Sequence, residues 1–98
     1  MAHSHMVFKG GNMKFKFCDL AYYSAMNLEG FLNRNKIRFI KDETHNDKIE
    51  RTYDITIMDS NLNIYAYDHY VHIGMISDGT LICTTKIHIT DFSELKIF

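Results

Sequence analysis

Four histidines supply the first side chains that could bind a metal ion. They are His45, His69, His72 and His88, whereas His3 and His5 belong to the N-terminal segment discussed below. His69 and His72 have the spacing of a ligand pair, but residues three apart on a continuous strand point to opposite faces. His72 and His88 share one face of the hairpin described below, yet about 13 Å separates them along a strand. Because zinc needs three or four converging ligands, the sequence predicts no metal site, and no motif in it predicts a cofactor.

A second group with catalytic chemistry combines Asp78 with Glu94-Leu95-Lys96. This spacing resembles the Asp…Glu-x-Lys arrangement of metal-dependent nucleases, in which two carboxylates bind Mg²⁺ and the lysine orients the nucleophile. Glu-x-Lys is frequent by chance, however, and Asp78 is already explained by a turn. A small Mg²⁺-dependent nuclease is therefore an alternative, and the leading prediction is a protein that is not an enzyme.

The two cysteines, Cys18 and Cys83, do not form a Cys-x-x-Cys pair and have no basic cluster beside them. Buried, unreactive thiols are the expected outcome. Two cysteines do not make a disulfide scaffold, which favours reduced thiols and a cytoplasmic location.

The basic residues form a modest cluster that is balanced by an acidic loop. Its members are Lys14, Lys16, Arg34, Lys36, Arg38 and Lys41. A nucleic-acid-binding domain that uses Lys14, Lys16 and outward aromatic rings is the second alternative. No segment matches the aromatic motifs of RNA-binding domains, so this alternative has little support.

Composition limits the class of protein. The 98 residues suffice for one domain with one core, and a hydrophobic content of 46% with 23% charged residues is ordinary for a globular chain. A net charge of −1 gives no general attraction to nucleic acid or membrane. No apolar run approaches the roughly 20 residues of a spanning helix. Abundant Ile, Lys, Asn, Asp and Tyr correspond to AT-rich codons, which suggests a low-GC bacterium, a phage or a mobile element.

The N-terminus reads as vector sequence followed by a leader. Met-Ala-His-Ser-His-Met is typical of cloning vectors, and such segments are set aside in fold analysis. The expected organisation is a vector or leader segment over residues 1–12 and a single domain over residues 13–98. Met6 and Met13 both remain candidates for the natural start.

The strongest structural signal is a β-hairpin over residues 71–89. Asp78-Gly79 lies between two β-branched runs, which is a turn signal. A three-residue loop, Ser77-Asp78-Gly79, places the apolar residues on one face, with Gly79 accepting a positive φ. The predicted inward residues are Val71, Ile73, Met75, Leu81, Cys83, Ile87 and Ile89.

Periodicity assigns the other elements. We expect a strand over residues 13–18, a helix from an Asp19 cap to Arg34, a strand over 37–41, a polar loop over 42–48, and strands over 49–58 and 62–67. The buried helix stripe is predicted to contain Ala21, Ser24, Ala25, Leu28, Phe31 and Leu32. Ser24 is a rival helix cap, and Asn33 or Asn35 is expected to end the helix in a left-handed conformation.

The order of elements is therefore β-α-β-β-β-β-β, followed by a short element over residues 92–98 that is either a helical turn or an edge strand. Inward positions are even-numbered in residues 62–66 and odd-numbered in residues 71–75, which requires either a bulge in one long bent strand or, as the favoured prediction, a turn at residues 67–70. Consecutive strands with short connections predict an α+β fold, with one helix packed on a curved antiparallel sheet. This layout resembles α/β-roll or cystatin-like folds, but no cystatin inhibitory motif is present, so the resemblance implies no activity.

One helix covers only one sheet face, which leaves outward aromatic and apolar side chains. The candidate binding residues are Tyr65, Tyr67, Tyr70, His72, Ile76 and Ile82. Tyrosines on an open sheet face are common interface material. The leading hypothesis is a small protein-binding module, such as a phage or mobile-element inhibitor of a host or competitor protein, or a homodimer through the same face. The alternative is that the C-terminal residues 95–98 fold over this face.

Overall fold

The fold is α+β, with one helix packed against antiparallel strands, as the sequence predicted. The computed structural model describes residues 6–11, 14–44, 50–58 and 60–98. Its elements are β1 (Met6–Gly11), β2 (Phe15–Ala21), α1 (Tyr22–Arg34), β3 (Arg38–Thr44), β4 (Thr52–Met58), β5 (Ser60–Tyr67), β6 (Tyr70–Ser77), β7 (Thr80–His88), a 3-10 turn (Ile89–Asp91) and β8 (Glu94–Ile97). The predictions for His3, His5, Met13, His45, Ile49 and the rest of the 45–48 loop lie outside the described residues.

The strands form two four-stranded sheets and not one continuous meander. Sheet A has the order β1-β5-β6-β7, and sheet B has the order β3-β4-β2-β8. The prediction of a single sheet fails between residues 49–58 and 62–67, because β4 pairs with β2 and β3 while β5 pairs with β1 and β6. The structure also adds β1, from the segment set aside as leader, and the C-terminal element is the edge strand β8.

One core lies between the two sheets and the helix. Alternation along β2, β4, β5 and β6 sends side chains inward, and the helix contributes one stripe. The fully buried large side chains are Phe15, Phe17, Leu20, Leu28, Leu32, Ile55, Ile57, Leu62, Ile64 and Ile73. Burial of five predicted stripe residues, from Ser24 to Leu32, confirms the helix face, whereas Ala21 is exposed.

Asp19 does not cap the helix. Ala21 occupies the cap position without a side-chain hydrogen bond, and Ser24 lies inside the first turn, where its hydroxyl donates to Asp91 (2.7 Å). Asp19 instead sits in a bulge of β2 with φ of +56°. Aspartate tolerates this left-handed region better than most residues, which explains its presence in the bulge.

The Asp19 carboxylate links several strands from this bulge. It accepts hydrogen bonds from the hydroxyls of Thr44, Thr52 and Ser93, at 3.2, 3.4 and 3.0 Å respectively. Its backbone N–H donates to Asp54 (2.9 Å). Asp19 is thus a structural connection between β2, β3, β4 and the segment before β8.

The end of the helix also differs from expectation. Asn35 has a right-handed φ of −101°, and the left-handed residue is Lys36, with φ of +57°. Ile37 N–H donates to Leu32 O (2.9 Å) and Lys36 N–H donates to Asn33 O (3.2 Å), which is the Schellman pattern. The Asn35 side chain contributes by donating to Phe31 O.

The β6–β7 hairpin has a two-residue turn, so the predicted three-residue loop is wrong. Asp78 and Gly79 both have positive φ (+51° and +75°), as a type I′ turn requires. A bulge at Ile82 then shifts the register, so Met75 pairs with Cys83. Of the residues predicted to face inward, Val71, Ile73 and Ile87 are buried, and Met75 and Cys83 are partly buried against the core. Leu81 and Ile89 are exposed, so their predicted inward positions are wrong.

The parity change between β5 and β6 has the predicted cause. A two-residue turn at Asp68-His69 joins them, and Tyr67 pairs with Tyr70. Ile64 and Ile73 therefore pair on the buried face.

Candidate functional site

The outward face of sheet A carries aromatic and imidazole rings in two rows across three strands. We call this surface the tyrosine–histidine face. One row contains Tyr65, His72 and Lys86, and the other contains Tyr67, Tyr70 and His88. Strand alternation produces the rows, because the inward neighbours of these residues are the buried aliphatic side chains of β5, β6 and β7.

The rings of this face contact one another. Tyr65 and His72 stack with centroids 4.9 Å apart and planes 6° apart. Tyr70 meets His88 edge-on at 4.9 Å, and Lys86 Nζ lies 4.6 Å from the Tyr70 ring centroid. Aromatic pairs contribute about 0.5–1.5 kcal/mol beyond area burial, so these contacts hold the face in a defined shape.

The structure brings four of the six predicted binding residues into this cluster: Tyr65, Tyr67, Tyr70 and His72. Ile76 and Ile82 lie farther along the sheet, near the hairpin turn. Sequence reasoning left Lys86 and His88 out of the site. Strand alternation could have identified them, because Lys86 and His88 are even-numbered like Thr84 and therefore lie on the same outward face of β7.

Leu81 adds an apolar side chain beside the predicted residues. It was expected inward, but the two-residue turn pairs it with Ile76, and its side chain covers Gly74. A Cβ on Gly74 would lie 2.5 Å from Leu81 Cδ1, so the glycine is required for this contact. Leu81 and Ile82 are each 55% exposed, which makes the hairpin end of sheet A an accessible apolar patch.

The C-terminal segment does not fold over the tyrosine–histidine face. β8 pairs with β2 in sheet B, and Phe98 N–H donates to Lys14 O (2.9 Å). The helix packs on the inward side, since its buried residues belong to the same core cluster as the inward residues of both sheets. Solvent therefore reaches this face, where Tyr67 is 39% exposed.

Sheet B presents a different outward surface. Lys16 and Asp54 form an ion pair (3.5 Å), and Lys96 and Glu94 form another (3.7 Å). These exposed pairs contribute little to stability, but they make the face charged and well hydrated. Among the described strands, sheet A exposes Tyr67, Leu81 and Ile82, whereas sheet B exposes Ile40 as its large aliphatic side chain; α1 also exposes Tyr22, Tyr23 and Met26.

A cleft of about 680 Å³ lies beside the start of α1. Tyr22, Arg51 and Tyr53 line it, together with Asp19 and Asp91. Both carboxylates already accept hydrogen bonds from neighbouring hydroxyls of the protein. The third lining carboxylate, Glu50, is exposed to solvent.

The residues of the nuclease alternative lie on different sheets. Asp78 is in the β6–β7 turn of sheet A, whereas Glu94 and Lys96 are on β8 of sheet B and pair with each other. Within the described ranges, no group of three or more His, Cys, Asp or Glu side chains could hold a metal ion.

Both thiols are free and half-buried. Burial raises the pKa of the Cys18 thiol, and the Asp54 carboxylate raises it further. The Cys83 thiol donates to Asn35 Oδ1 (3.0 Å). A raised pKa lowers the thiolate fraction at neutral pH, so Cys18 does not have the character of a nucleophile.

Comparison with known proteins finds no family model, no curated protein and no solved structure that matches this chain. Among the residues that the structure describes, no helix is long and apolar enough to cross a membrane.

Proposed function

We propose that this protein is a small, non-enzymatic protein-binding module that acts through the tyrosine–histidine face and the adjoining hairpin end. The observation that carries this proposal is the contrast between the two sheets. Sheet A turns aromatic and aliphatic side chains to solvent, whereas the outward face of sheet B is charged. Tyrosine-rich apolar surface with few charges is typical of interface centres.

A protein partner suits this surface better than single-stranded nucleic acid. Binding of bases requires open ring faces, but Tyr65 stacks on His72 and the Tyr70 ring contacts His88 and Lys86. The rings therefore offer hydroxyl and imidazole edges, which form hydrogen bonds with a protein surface. Lys86 is the single Lys or Arg in residues 61–88. One cation is too few to form a positively charged groove that binds a phosphate backbone.

The biological role fits an inhibitor of a host or competitor protein, encoded by a phage or mobile element in the cytoplasm. Small size, AT-rich composition and an exposed interaction face support this role, and two free thiols fit the location.

Capture of partners with matched variants tests the proposal. The test variant combines Tyr67→Asp and Ile82→Asp, because both side chains are exposed and Tyr70 is better kept for its ring contacts. Ile40→Asp on β3 is the control, since Ile40 is 49% exposed but lies in sheet B. Each protein is immobilised, exposed to lysate of its source cells, and its retained proteins are quantified by mass spectrometry.

We expect a partner that wild type and Ile40→Asp retain and that the double variant loses. Equal urea midpoints for all three proteins establish that folding is unchanged. Equal retention by the double variant would show that the assigned face is wrong. A Mg²⁺-dependent cleavage assay with Glu94→Gln as control separates the nuclease alternative, because cleavage lost in this variant would contradict a non-enzymatic role.

A further inference from the structure

The free edge of β7 points to a second binding mode that does not depend on the tyrosine–histidine face. Among the described strands, β7 ends sheet A and pairs with β6 alone. An edge strand carries a row of unpaired N–H and C=O groups, whose natural partner is another strand. Proteins guard such edges with charges, short strands or bulges.

The other three edges have these protections. β3 contains Arg38, Lys41, Asp42 and Glu43 within seven residues. β8 has four residues, and β1 has a register shift between Lys9 and Gly11. β7 is nine residues long, and its bulge at Ile82 lies near the turn, which leaves residues 83–88 regular.

The one Lys, Arg, Asp or Glu in β7 does not guard this edge. Lys86 Nζ lies 4.6 Å from the Tyr70 ring centroid, so the ammonium turns back over the sheet and toward β6. The remaining β7 residues near the middle of the strand are Thr84 and Thr85, whose β-branched side chains favour strand pairing.

We propose that β7 pairs antiparallel with β7 of a second copy, about a two-fold axis through Thr85, which joins two sheets A into one eight-stranded sheet. When the two Thr85 residues face each other across this axis, outward residues of one β7 pair with outward residues of the other. The hydrophobic cores of both copies then lie on the same side of the joined sheet. This register sets Thr84 opposite Lys86 and Cys83 opposite Ile87, inside the regular part of the strand. It avoids Lys86 facing its own copy, which an axis through Lys86 would require.

A charge swap at one position tests the pairing. With Thr84 opposite Lys86, Thr84→Glu offers the exposed Lys86 ammonium of the second copy a carboxylate in place of the Tyr70 ring, at two positions by symmetry, and Thr84→Lys creates two like-charge pairs. We expect Thr84→Glu to lower the dimer dissociation constant by about 2- to 30-fold and Thr84→Lys to raise it by a similar factor. Asn61→Glu and Asn61→Lys are the matched controls, because exposed Asn61 belongs to the interior strand β5 and should leave dimerisation unchanged.

Sedimentation velocity of the full chain over about 1–500 µM measures the dissociation constant of each variant. A wild-type chain that stays monomeric over this range overturns the inference. So does a shift of both Thr84 variants in the same direction, or an equal response to the Asn61 variants. The experiment uses no partner protein, so its failure is distinct from failure of the proposed function.

Discussion

Replacement of Lys36 by glycine should stabilise the protein. Lys36 holds the left-handed position of the Schellman motif, with φ of +57°. A side chain in this region costs about 1–2 kcal/mol, which glycine does not incur. Glycine also has more conformational freedom in the unfolded chain, which lowers the free energy of unfolding by about 0.5–1 kcal/mol. The expected net gain in the free energy of unfolding is therefore about 0.5–1 kcal/mol.

Lys36→Ala separates the backbone effect from loss of the side chain. Alanine keeps the Cβ and its strain, so its unfolding free energy should stay within about 0.5 kcal/mol of wild type. Urea unfolding should move the midpoint of the glycine variant upward at unchanged m-value, and Tm should rise by about 2–8 °C. If the glycine variant is no more stable than the alanine variant, the left-handed helix end is refuted.

Three further predictions follow from close contacts and burial. Gly30→Ala should stabilise α1 by about 1 kcal/mol, because the added Cβ meets only the flexible Arg34 tip at 3.2 Å. Equal or lower stability in urea would contradict this. Gly74→Ala should destabilise the protein by about 1–3 kcal/mol through its clash with Leu81, and combination with Leu81→Ala should recover most of the loss; additive losses in this double-mutant cycle would count against the contact. Cys18 should react with iodoacetamide more slowly in the native protein than in urea, because burial raises the pKa of its thiol. The rate should increase with pH as the thiolate fraction grows, and peptide mass mapping measures it. Equal native and unfolded rates would exclude a protected thiol.

Hydrophobic periodicity predicted which face of each element is buried, but not which strands are neighbours. The parity predicted for residues 62–66 and 71–75 matches the buried residues Leu62, Ile64, Val71 and Ile73, and the 3.6-residue stripe matches the buried face of the helix. Periodicity says that a side chain points inward, and either sheet satisfies that condition. Periodicity therefore could not predict the division into two sheets, because that division depends on pairing between strands far apart in the sequence.

The hairpin error has a specific physical origin. The observed register of Met75 with Cys83 differs by two residues from the predicted register of Met75 with Leu81. A shift of two residues leaves every side chain on the same face, so the apolar pattern could not tell the registers apart. The two-residue turn supplies one residue of the difference and faces Leu81 outward, and the bulge at Ile82 supplies the other.

The errors at both helix ends come from side-chain preferences overruled by tertiary contacts. Asp19 has the residue type of a helix cap, yet three hydroxyls from other elements engage it in a bulge. Lys36 lacks the usual preference for a left-handed position, yet burial of the following Ile37 fixes the chain there. The outward tyrosines were predicted by alternation, whereas the ring contacts among them required the strand register.

The order in which contacts form follows from the separation of paired strands along the chain. Two-residue turns join β5, β6 and β7, so their pairing closes very short loops. The hydrogen bond between Ser93 and Cys18 joins residues 75 positions apart, and its closure costs more chain entropy. Local pairing is fast and distant pairing is slow. During refolding, the three strands of the tyrosine–histidine face should therefore assemble before β8 completes sheet B, and the interaction surface should form early.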